Sequence, residues 1–404
     1  MAKMNVRDAL IVGAGPAGAV CAAYLARAGL DVLLIDKEMF PRNKVCGDMV
    51  REGMAKHIVT LEAVDVLDEM SCCVRRLKLI APSGEQAIVP FECYVLPRFK
   101  LDKLLVDTAV SWGVEFRQGA RLEDVIIEDG KVCGAVVREK GVLREVRSLV
   151  VIGADGVGSD VARIVDGASA GVAGGIAEGG AAEGDEGMWL GLRGYFKGVR
   201  REPGLVKEQY DAGGIFGFDG KPGPAYFWAL PTGADGVEKG IYNVGMVVKG
   251  RDEHHFSELT ERMEAWLVSD EICEMFEGAE QVSPWEYGRL ADKSAGRKAV
   301  GDGYILIGDA AAVMTPLIND GLSAAADSGK AAADAVEAAF KSADFSKEFL
   351  EYKYMVGDAK RPAECALEDK AKLDRLLMES MRDPKTMDVI IERLARDPNY
   401  RKLV

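Results

Sequence analysis

A glycine-rich turn near the start of the chain has the residue types and spacing to hold a phosphate group. In Gly13-Ala-Gly-Pro-Ala-Gly18 the first glycine permits a tight turn, Gly15 lets the backbone approach a pyrophosphate, and Gly18 lets a helix pack closely on a strand. Asp36 follows at the spacing of the acidic residue that accepts hydrogen bonds from adenosine ribose hydroxyls. The pattern predicts a site for the ADP half of a dinucleotide.

The segments around this turn have the pattern of a strand-helix-strand unit. Residues 8–12 and 31–35 are apolar runs typical of buried parallel strands, and the Ala-rich stretch 16–28 between them predicts a helix. Further along, we predict hairpin strands on either side of Asp129-Gly130 and a buried strand over 148–154. A right-handed crossover places the turn at the carboxyl edge of the sheet. Because this unit ends at Asp36, we expect the N-terminal part of the chain to form the dinucleotide site.

A second group of strands follows, and then the first pattern returns. Residues 189–198, 206–218, 224–231 and 241–249 are rich in aromatic and β-branched residues, as strands of a second sheet are. A buried strand over 303–309 and a small-residue helix over about 321–340 complete the first domain. We therefore predict an α/β fold in which a Rossmann-like domain is interleaved with a β-sheet-rich domain, followed by C-terminal helices.

The domain bounds follow from these patterns. The dinucleotide domain takes residues 1–165 and 285–340 and includes small inserted strands near 75–100, and the substrate domain takes 166–284. The Gly-, Ala- and Glu-crowded stretch 167–187 is interpreted as a mobile loop. Residues 341–404 form a helical segment with Leu373, Leu376, Leu377 and Met381 at helix-face spacing. We expect its helices to pack on the rest of the protein and to expose their outer face to solvent. Alternatively, they contact a membrane surface or form a dimer interface.

Composition excludes several classes of function. A net charge of -14 argues against a nucleic-acid partner, whose phosphates attract clustered Lys and Arg. The eight cysteines lack paired Cys-x-x-Cys spacing, and His57, His254 and His255 have no spacing for a metal site or a triad, so we predict no metal. No signal peptide and no spanning segment are predicted. We expect a cytoplasmic protein whose membrane contact, if present, is peripheral.

Two later segments identify the dinucleotide by resemblance. Gly153-Ala-Asp-Gly156 with Ser159, and Gly301-Asp-Gly-Tyr-Ile-Leu-Ile-Gly-Asp309, resemble the Asp-Gly and Gly-Asp motifs of the p-hydroxybenzoate-hydroxylase-like flavoproteins. The resemblance implies that FAD is the cofactor and that Asp309 binds its ribityl chain. Asp155 is expected to be structural or close to the pyrophosphate. No second glycine-rich turn is present, so the electron donor is expected to be external, either NAD(P)H or a ferredoxin-like protein.

Two more segments narrow the family. Pro41-Arg-Asn-Lys-Val-Cys-Gly-Asp48 and Pro224-Ala-Tyr-Phe-Trp-Ala-Leu-Pro231 resemble the Lys-x-Cys-Gly and Tyr-x-Trp-x-x-Pro elements of the geranylgeranyl reductase family of flavoproteins, and the likeness spans roughly residues 8 to 340. Asn319-Asp-Gly-Leu322 departs from that family's Gly-Glu-Gly-Ile. The further residues that we predict to bind the cofactor are Pro16, Ala17, Lys37, Cys46, Gly47, Arg98, Ala120, Gly308, Pro316, Gly321 and Leu322.

The family resemblance implies a reaction. Its members reduce isolated carbon–carbon double bonds of polyprenyl chains. Because an unactivated alkene is a poor hydride acceptor, we hypothesise that delivery of a proton accompanies or precedes hydride transfer from reduced flavin. Tyr226 and Trp228 would stabilise developing positive charge on the alkene through their ring faces, or would simply line an apolar pocket. Cys46 would relay a proton or report the redox state, or be buried as a small apolar residue. Asn319 or Asp320 would cap the helix that begins near Gly321, with its N-terminus towards the flavin.

Two rival functions share the first domain. A flavin-dependent monooxygenase or halogenase would act on an aromatic substrate, and halogenases carry Trp-x-Trp-x-Ile-Pro where this chain has Tyr226-Phe-Trp-Ala-Leu-Pro231. The missing first Trp argues against halogenation. A redox sensor would use Cys46 as a thiol switch and the acidic C-terminal helices as a partner surface. Both rivals predict no anaerobic reduction of a prenyl lipid.

Overall fold

The computed structural model describes residues 6–169, 189–202, 205, 212–219, 225–249, 256–290, 298–312, 320–356 and 384–396. Nearly all of the stretch predicted as a loop over 167–187 lies outside these residues. The same holds for Pro316, for the start of the strand predicted over 206–218, and for the C-terminal residues Leu373, Leu376, Leu377 and Met381.

The first sheet confirms the predicted strand-helix-strand unit. Strands β1 (Val6–Val12) and β2 (Val32–Asp36) are parallel and joined by α1 (Pro16–Arg27). The remaining strands are β6 (Glu115–Gln118), the hairpin β7 (Ala120–Glu128) and β8 (Lys131–Glu139), β9 (Val142–Gly153), β16 (Val300–Gly301) and β17 (Tyr304–Leu306). The sheet order is β16-β17-β9-β1-β2-β6, so the strand predicted near 303–309 lies two places from β1 and completes the domain.

Helices cover both faces of this sheet. On one face α1 packs against α4 (Arg98–Ser111) and α9 (Gly321–Ser342), and α9 in turn contacts α2 (Glu52–Thr60) and α10 (Lys347–Val356). On the other face α5 (Asp160–Ser169) contacts β7. Since both faces are covered, β2 is buried along its whole length, which explains its continuous apolar sequence.

Within the described residues, the second sheet has nine strands, which come from three parts of the sequence. Its strands are β3 (Met49–Val50), β4 (Cys72–Ile80), β5 (Gln86–Val95), β10 (Trp189–Lys197), β11 (Ala212–Asp219), β12 (Ala225–Pro231), β13 (Tyr242–Lys249), β14 (Glu280–Gln281) and β15 (Glu286–Leu290). The order is β14-β10-β13-β12-β11-β4-β5-β3, with β15 paired to β10.

Two of the predicted domain assignments are wrong at this sheet. The strands near 75–100 were assigned to the dinucleotide domain, but β4 pairs in parallel with β11 from Val74 to Ile80, so they extend the second sheet. The substrate domain was ended at residue 284, but β15 pairs antiparallel with β10. Backbone pairing across more than a hundred residues decides sheet membership, and strand patterns do not encode the partner.

The two faces of the second sheet pack against different elements. On the far face Phe227 stacks on Trp266 of α7 (Phe256–Leu267), with ring centroids 5.0 Å apart. The near face carries Phe216, Trp228 and Val247, which belong to one apolar cluster with the C-terminal helix α11 (Pro384–Arg396). The remaining helices are α3 (Val64–Met70), α6 (Gly236–Lys239) and α8 (Cys273–Phe276). Within the described part of the chain, no helix combines the length and apolarity needed to cross a membrane.

The C-terminal helix is held by an apolar stripe, which leads to a first prediction. Met387, Ile390 and Ile391 are buried in the cluster below α11, and Ile391 is 2% exposed, whereas Val389 on the outer side is 50% exposed. Ile391→Ala should therefore cost about 2–5 kcal/mol of docking free energy, because it leaves a cavity. Hydrogen exchange of α11 amides measures this loss. Val389→Ala is the matched control and should change it by less than about 0.5 kcal/mol; equal effects would contradict the packing described.

Candidate functional site

One cavity of about 410 Å³ lies between the carboxyl ends of the first sheet and the near face of the second. It brings together nearly all the residues that the sequence predicted for the cofactor: Gly13, Gly15, Pro16, Ala17, Asp36, Lys37, Cys46, Gly47, Arg98, Ala120, Asp155, Gly308, Asp309, Gly321 and Leu322. Tyr226 and Trp228 line the same cavity from the second sheet. Gly18 is not among the lining residues.

The glycine turn has the geometry that a pyrophosphate requires. Gly13 has φ +103°, and a Cβ there would lie 2.3 Å from the carbonyl oxygen of Ala154. A Cβ on Gly18 would lie 1.9 Å from the Gly13 carbonyl oxygen, which confirms that this glycine serves close packing. At Gly15 a Cβ would face the cavity, with only an Arg42 nitrogen within 4 Å, at 3.5 Å. The N-terminus of α1 therefore opens onto space that a phosphate can enter.

Asp36 closes this end of the cavity. Its carboxylate is buried and accepts hydrogen bonds from the backbone N–H of Ala14 at 2.8 Å and of Glu38 at 2.9 Å. Arg42 lies beside it, 3.9 Å from Asp36 and 2.8 Å from Asp102. The two backbone bonds orient the carboxylate at the end of β2, where it borders the cavity.

The other end of the cavity is formed by the segment after β17 and the start of α9. A 3₁₀ turn over Gly308–Ala311 places Asp309 at the cavity wall, 3.5 Å from the Lys44 ammonium group. Asp320 caps α9 by accepting a hydrogen bond from the Ser323 N–H at 3.1 Å, as one of the two predicted caps. Because α9 is 22 residues long and begins at the cavity, its N-terminus supplies positive potential there.

Two predicted cofactor residues have other partners in the structure. The Asp155 carboxylate accepts hydrogen bonds from the Ser159 hydroxyl at 2.5 Å and the Val161 N–H at 3.1 Å, so it holds the start of α5. The Arg98 guanidinium is buried and donates to both oxygens of Asp102, at 2.8 and 2.9 Å. Arg98 borders the cavity, but its charge is already paired within the protein.

Cys46 lies on the cavity wall next to this charged pair. Burial is the largest influence on its thiol and raises the pKa above its ordinary value, against the opposing effect of the nearby Arg98 charge. The thiol is therefore protonated at neutral pH and can act as a proton donor rather than as a standing thiolate.

A hydrogen-bond network behind Cys46 joins the two sheets. Asp48, fully buried and with φ +63°, accepts hydrogen bonds from the Tyr195 hydroxyl and the Asn243 amide, each at 2.6 Å, and from the Arg98 N–H at 3.2 Å. Asn243 also donates to the Cys46 carbonyl oxygen at 2.9 Å and accepts from the Trp228 indole at 2.7 Å. The loop that carries Cys46 is thus fastened to β10 and β13.

The second sheet contributes an apolar wall opposite this loop. Alternate residues of β12, namely Tyr226, Trp228 and Leu230, face the cavity together with Phe216 and Val247. The rings of Tyr226 and Trp228 lie 6.0 Å apart between centroids. The cavity thus has a charged, glycine-rich end and an aromatic, apolar end.

Similarity to known proteins agrees with this geometry. A family model described as FAD binding domain matches residues 7–178. The digeranylgeranylglycerophospholipid reductase of Methanosarcina acetivorans is 31% identical over 374 residues, which cover 87% of this chain and 80% of the relative. The chain belongs to the geranylgeranyl reductase family of FAD-dependent oxidoreductases. FAD is accordingly its cofactor, and the predicted fold class is confirmed.

Two further similarities place this family member among related flavoproteins. The crystal structure of a geranylgeranyl bacteriochlorophyll reductase-like protein from Thermoplasma acidophilum has the same fold, with a TM-score of 0.78 and 23% identity over 98% of this chain and 93% of that chain. A 1H-pyrrole-2-carbonyl-[peptidyl-carrier protein] brominase of Pseudoalteromonas luteoviolacea is 27% identical over 375 residues, covering 87% of this chain and 82% of the relative. The chain is thus similar both to a reductase-like protein and to a brominase, so fold similarity alone does not choose between the two activities.

Sequence reasoning missed four residues of this reductase family site. Arg42 and Asp48 lie in the segment 41–48 that carries the family resemblance, and Tyr195 and Asn243 lie in predicted strands of the second sheet, yet none was given a role. The available signal was a buried polar residue within an otherwise apolar strand, as at Asn243, since such a group requires a partner. The partner itself lies 195 residues away, at Asp48, and the sequence does not reveal it.

Asp48 gives this family member a specific dependence of stability on pH. Burial raises the pKa of Asp48 to about 6, although Tyr195, Arg193 and Asn243 act in the opposite direction. A folded pKa above the unfolded value means that the native state binds the proton more tightly than the unfolded state. The contribution of Asp48 to the free energy of unfolding is therefore fully present below about pH 4 and is lost as pH rises through about 6. Relative to the wild-type protein, Asp48→Asn should gain about 3 kcal/mol between those limits. Denaturant unfolding across this range measures the difference, and a constant difference would contradict it.

Proposed function

We propose that this protein reduces isolated carbon–carbon double bonds of a prenyl lipid of the geranylgeranyl type. The observation that carries the proposal is the apolar aromatic wall of Tyr226, Trp228 and Leu230 in the same cavity as Cys46 and the glycine turn. FAD, once reduced, supplies a hydride. The family relative from Methanosarcina acetivorans, named for a digeranylgeranyl lipid, supports a substrate of this class.

We propose that the charged end of the cavity holds the cofactor. Gly13, Gly15 and the α1 N-terminus would bind its pyrophosphate, and Asp36 its adenosine ribose. Asp309 would accept from the ribityl hydroxyls, and the α9 N-terminus would stabilise negative charge on the reduced ring by about 1 kcal/mol. These assignments are supported by the open cradle at Gly15 and by the convergence of all three segments on one cavity.

The apolar end would bind the prenyl chain. Phe216, Leu230 and Val247 are buried apolar residues, and each methylene that leaves water contributes about 0.8 kcal/mol. Tyr226 and Trp228 would direct their ring faces at positive charge that develops on the substituted alkene carbon, each contributing roughly 0.5–2 kcal/mol. Cys46, whose thiol is protonated, would deliver the proton. An apolar wall with one acid thus suits an alkene, which offers no polar group.

The partners beyond the substrate are also proposals. We infer an external electron donor, NAD(P)H or a ferredoxin-like protein, because the sequence has a single glycine-rich dinucleotide turn. A cytoplasmic enzyme that collects such a substrate would work at the membrane surface, since a prenyl lipid partitions into the bilayer. The test is co-sedimentation with lipid vesicles in the presence and absence of salt.

An anaerobic single-turnover experiment tests the proposed function. The purified protein is reduced with dithionite, a geranylgeranyl lipid is added, and flavin reoxidation is followed together with product mass. We expect reoxidation and a gain of two hydrogens per double bond reduced. Reduced free FAD without protein is the control.

The same experiment discriminates the second candidate function. The brominase relative favours a monooxygenase or halogenase acting on an aromatic substrate as the alternative. In that case the flavin stays reduced until oxygen is admitted, and no saturated lipid forms. Such an outcome would overturn the reductase proposal.

A further inference from the structure

Asn243 bridges the cofactor side and the substrate side of the cavity without lining it. Its side chain is fully buried on β13 and makes three hydrogen bonds, to Trp228, to the Cys46 carbonyl and to Asp48. Cys46 belongs to the loop that borders the glycine-rich end, and Trp228 belongs to the aromatic wall. One amide therefore touches both halves of the site.

The chemistry of the partners fixes the orientation of this amide. An indole N–H can only donate, so the atom of Asn243 that faces Trp228 must be the oxygen. The Cys46 carbonyl and the Asp48 carboxylate accept, so the atom that faces them must be the NH₂ group. A flipped amide would lose all three bonds, and a buried polar group without partners is costly. Asparagine satisfies this set because it carries one acceptor and two donors at one end of a short side chain.

Two glycines let the backbone pack closely around the Trp228 indole. A Cβ on Gly47 would lie 3.6 Å from the Trp228 ring, and a Cβ on Gly245 would lie 2.4 Å from it. The indole is thus enclosed between the Cys46 loop and β13. Asp48, held in a left-handed conformation by bonds from Tyr195 and Arg98, keeps the loop in register with Asn243.

We propose that Asn243 is a positioning residue that sets the distance between the Cys46 thiol and the Trp228 ring. The inference rests on the proposed function for its catalytic consequence, because those two groups act there as proton donor and charge stabiliser. Its structural content is independent of that function: loss of either end of the Asn243 bridge frees the Cys46 loop. Rate depends steeply on such alignment, since small displacements of reacting groups lower kcat while binding is retained.

Two variants break the bridge from opposite ends. Trp228→Phe keeps a ring in the wall but removes the indole donor. Asn243→Asp keeps the acceptor for Trp228 but turns an oxygen towards the Cys46 carbonyl and the Asp48 carboxylate. Trp266→Phe makes the same ring change on the far face of the sheet, where Trp266 stacks on Phe227, and serves as the matched control.

The first readout needs no turnover. Cys46 is alkylated with iodoacetamide in the FAD-loaded protein, and its rate is read from the mass of the peptide that contains it. Both bridge variants should alkylate Cys46 about tenfold faster than the wild-type protein. Trp228→Phe removes the bond that orients the Asn243 amide, and Asn243→Asp removes the bonds that run from this amide to the loop. Trp266→Phe should match the wild-type protein. Unchanged rates in both bridge variants, or an equal rise in the control, would overturn the proposal.

The second readout is kinetic and separates positioning from mere structural damage. With prenyl lipid as substrate, kcat should fall at least about tenfold in Asn243→Asp, whose residue does not line the cavity, while KM changes less than about threefold. In Asn243→Asp the loss should be smaller at acidic than at alkaline pH, because the introduced carboxyl and Asp48 must share a proton. If the wild-type protein reduces no prenyl lipid, the proposed function fails, and the alkylation rates still decide the role of Asn243.

Discussion

Gly15→Val should yield a folded protein that binds FAD much more weakly than the wild-type protein. The backbone at Gly15 has φ −72° and ψ −176°, a conformation open to valine, so the substitution introduces no backbone strain. Its side chain would project into the cavity at the α1 N-terminus, where the pyrophosphate is proposed to bind. Overpacking of about 1–3 kcal/mol corresponds to a Kd for FAD raised about fivefold to 150-fold. Flavin fluorescence titration of the apoprotein measures it.

Two other glycine variants test whether the effect is local. Gly13→Val adds the same side chain where φ is +103° and backbone lies 2.3 Å from the new Cβ, so it should lose the fold itself, which circular dichroism reports. Gly167→Val, on α5 with no atom within 4 Å, should bind FAD like the wild-type protein. Normal FAD affinity in Gly15→Val would place the pyrophosphate elsewhere.

Cys46→Ala should lower kcat for prenyl lipid reduction about 10²- to 10⁴-fold and leave FAD bound. A positioned general acid contributes an acceleration of this size, and alanine cannot donate a proton. KM should change little, because the apolar wall on the second sheet remains. The measurement is stopped-flow reoxidation of the reduced flavin by substrate.

The pH profile identifies the thiol as the acid. Since burial raises the pKa of Cys46 above its ordinary value, the wild-type rate should stay level through neutral pH and fall only in the alkaline range, where the donor loses its proton. Cys273→Ala, at a half-buried cysteine of α8 that does not line the cavity, is the matched control and should keep full activity. A Cys46→Ala rate within about threefold of wild type would assign the proton to another donor.

Local chemistry explains why much of the cofactor end could be predicted. The glycine turn and Asp36 belong to one strand-helix-strand unit. In this unit, steric contacts and hydrogen bonds with residues nearby in sequence determine which residue type fits each position. The same holds for Asp320, whose capping bond reaches only three residues ahead. Such features are written in short stretches of sequence, and the structure places them as expected on one cavity.

Residues far apart in sequence explain what could not be predicted. The strands over 72–95 join the second sheet because β4 finds its partner in β11, more than a hundred residues later. Arg98 borders the cavity, and the sequence does not reveal that its guanidinium pairs with Asp102, which Arg42 also contacts. Partner choice depends on burial and register across the whole fold, which no local pattern encodes.

The sequence by itself determined the α/β class, the dinucleotide turn and the position of the aromatic motif. Each of these depends on neighbouring residues, because apolar residues recur every two positions in a strand and about every 3.6 in a helix, and glycine permits a tight turn locally. Only the tertiary structure decided that Cys46 and Trp228 share one hydrogen-bonding partner. That partner, Asn243, lies 197 residues from Cys46, and the bond between them exists because two sheets meet at the loop that ends in Asp48. Burial makes the arrangement specific, since each of these polar groups has left water and requires the others.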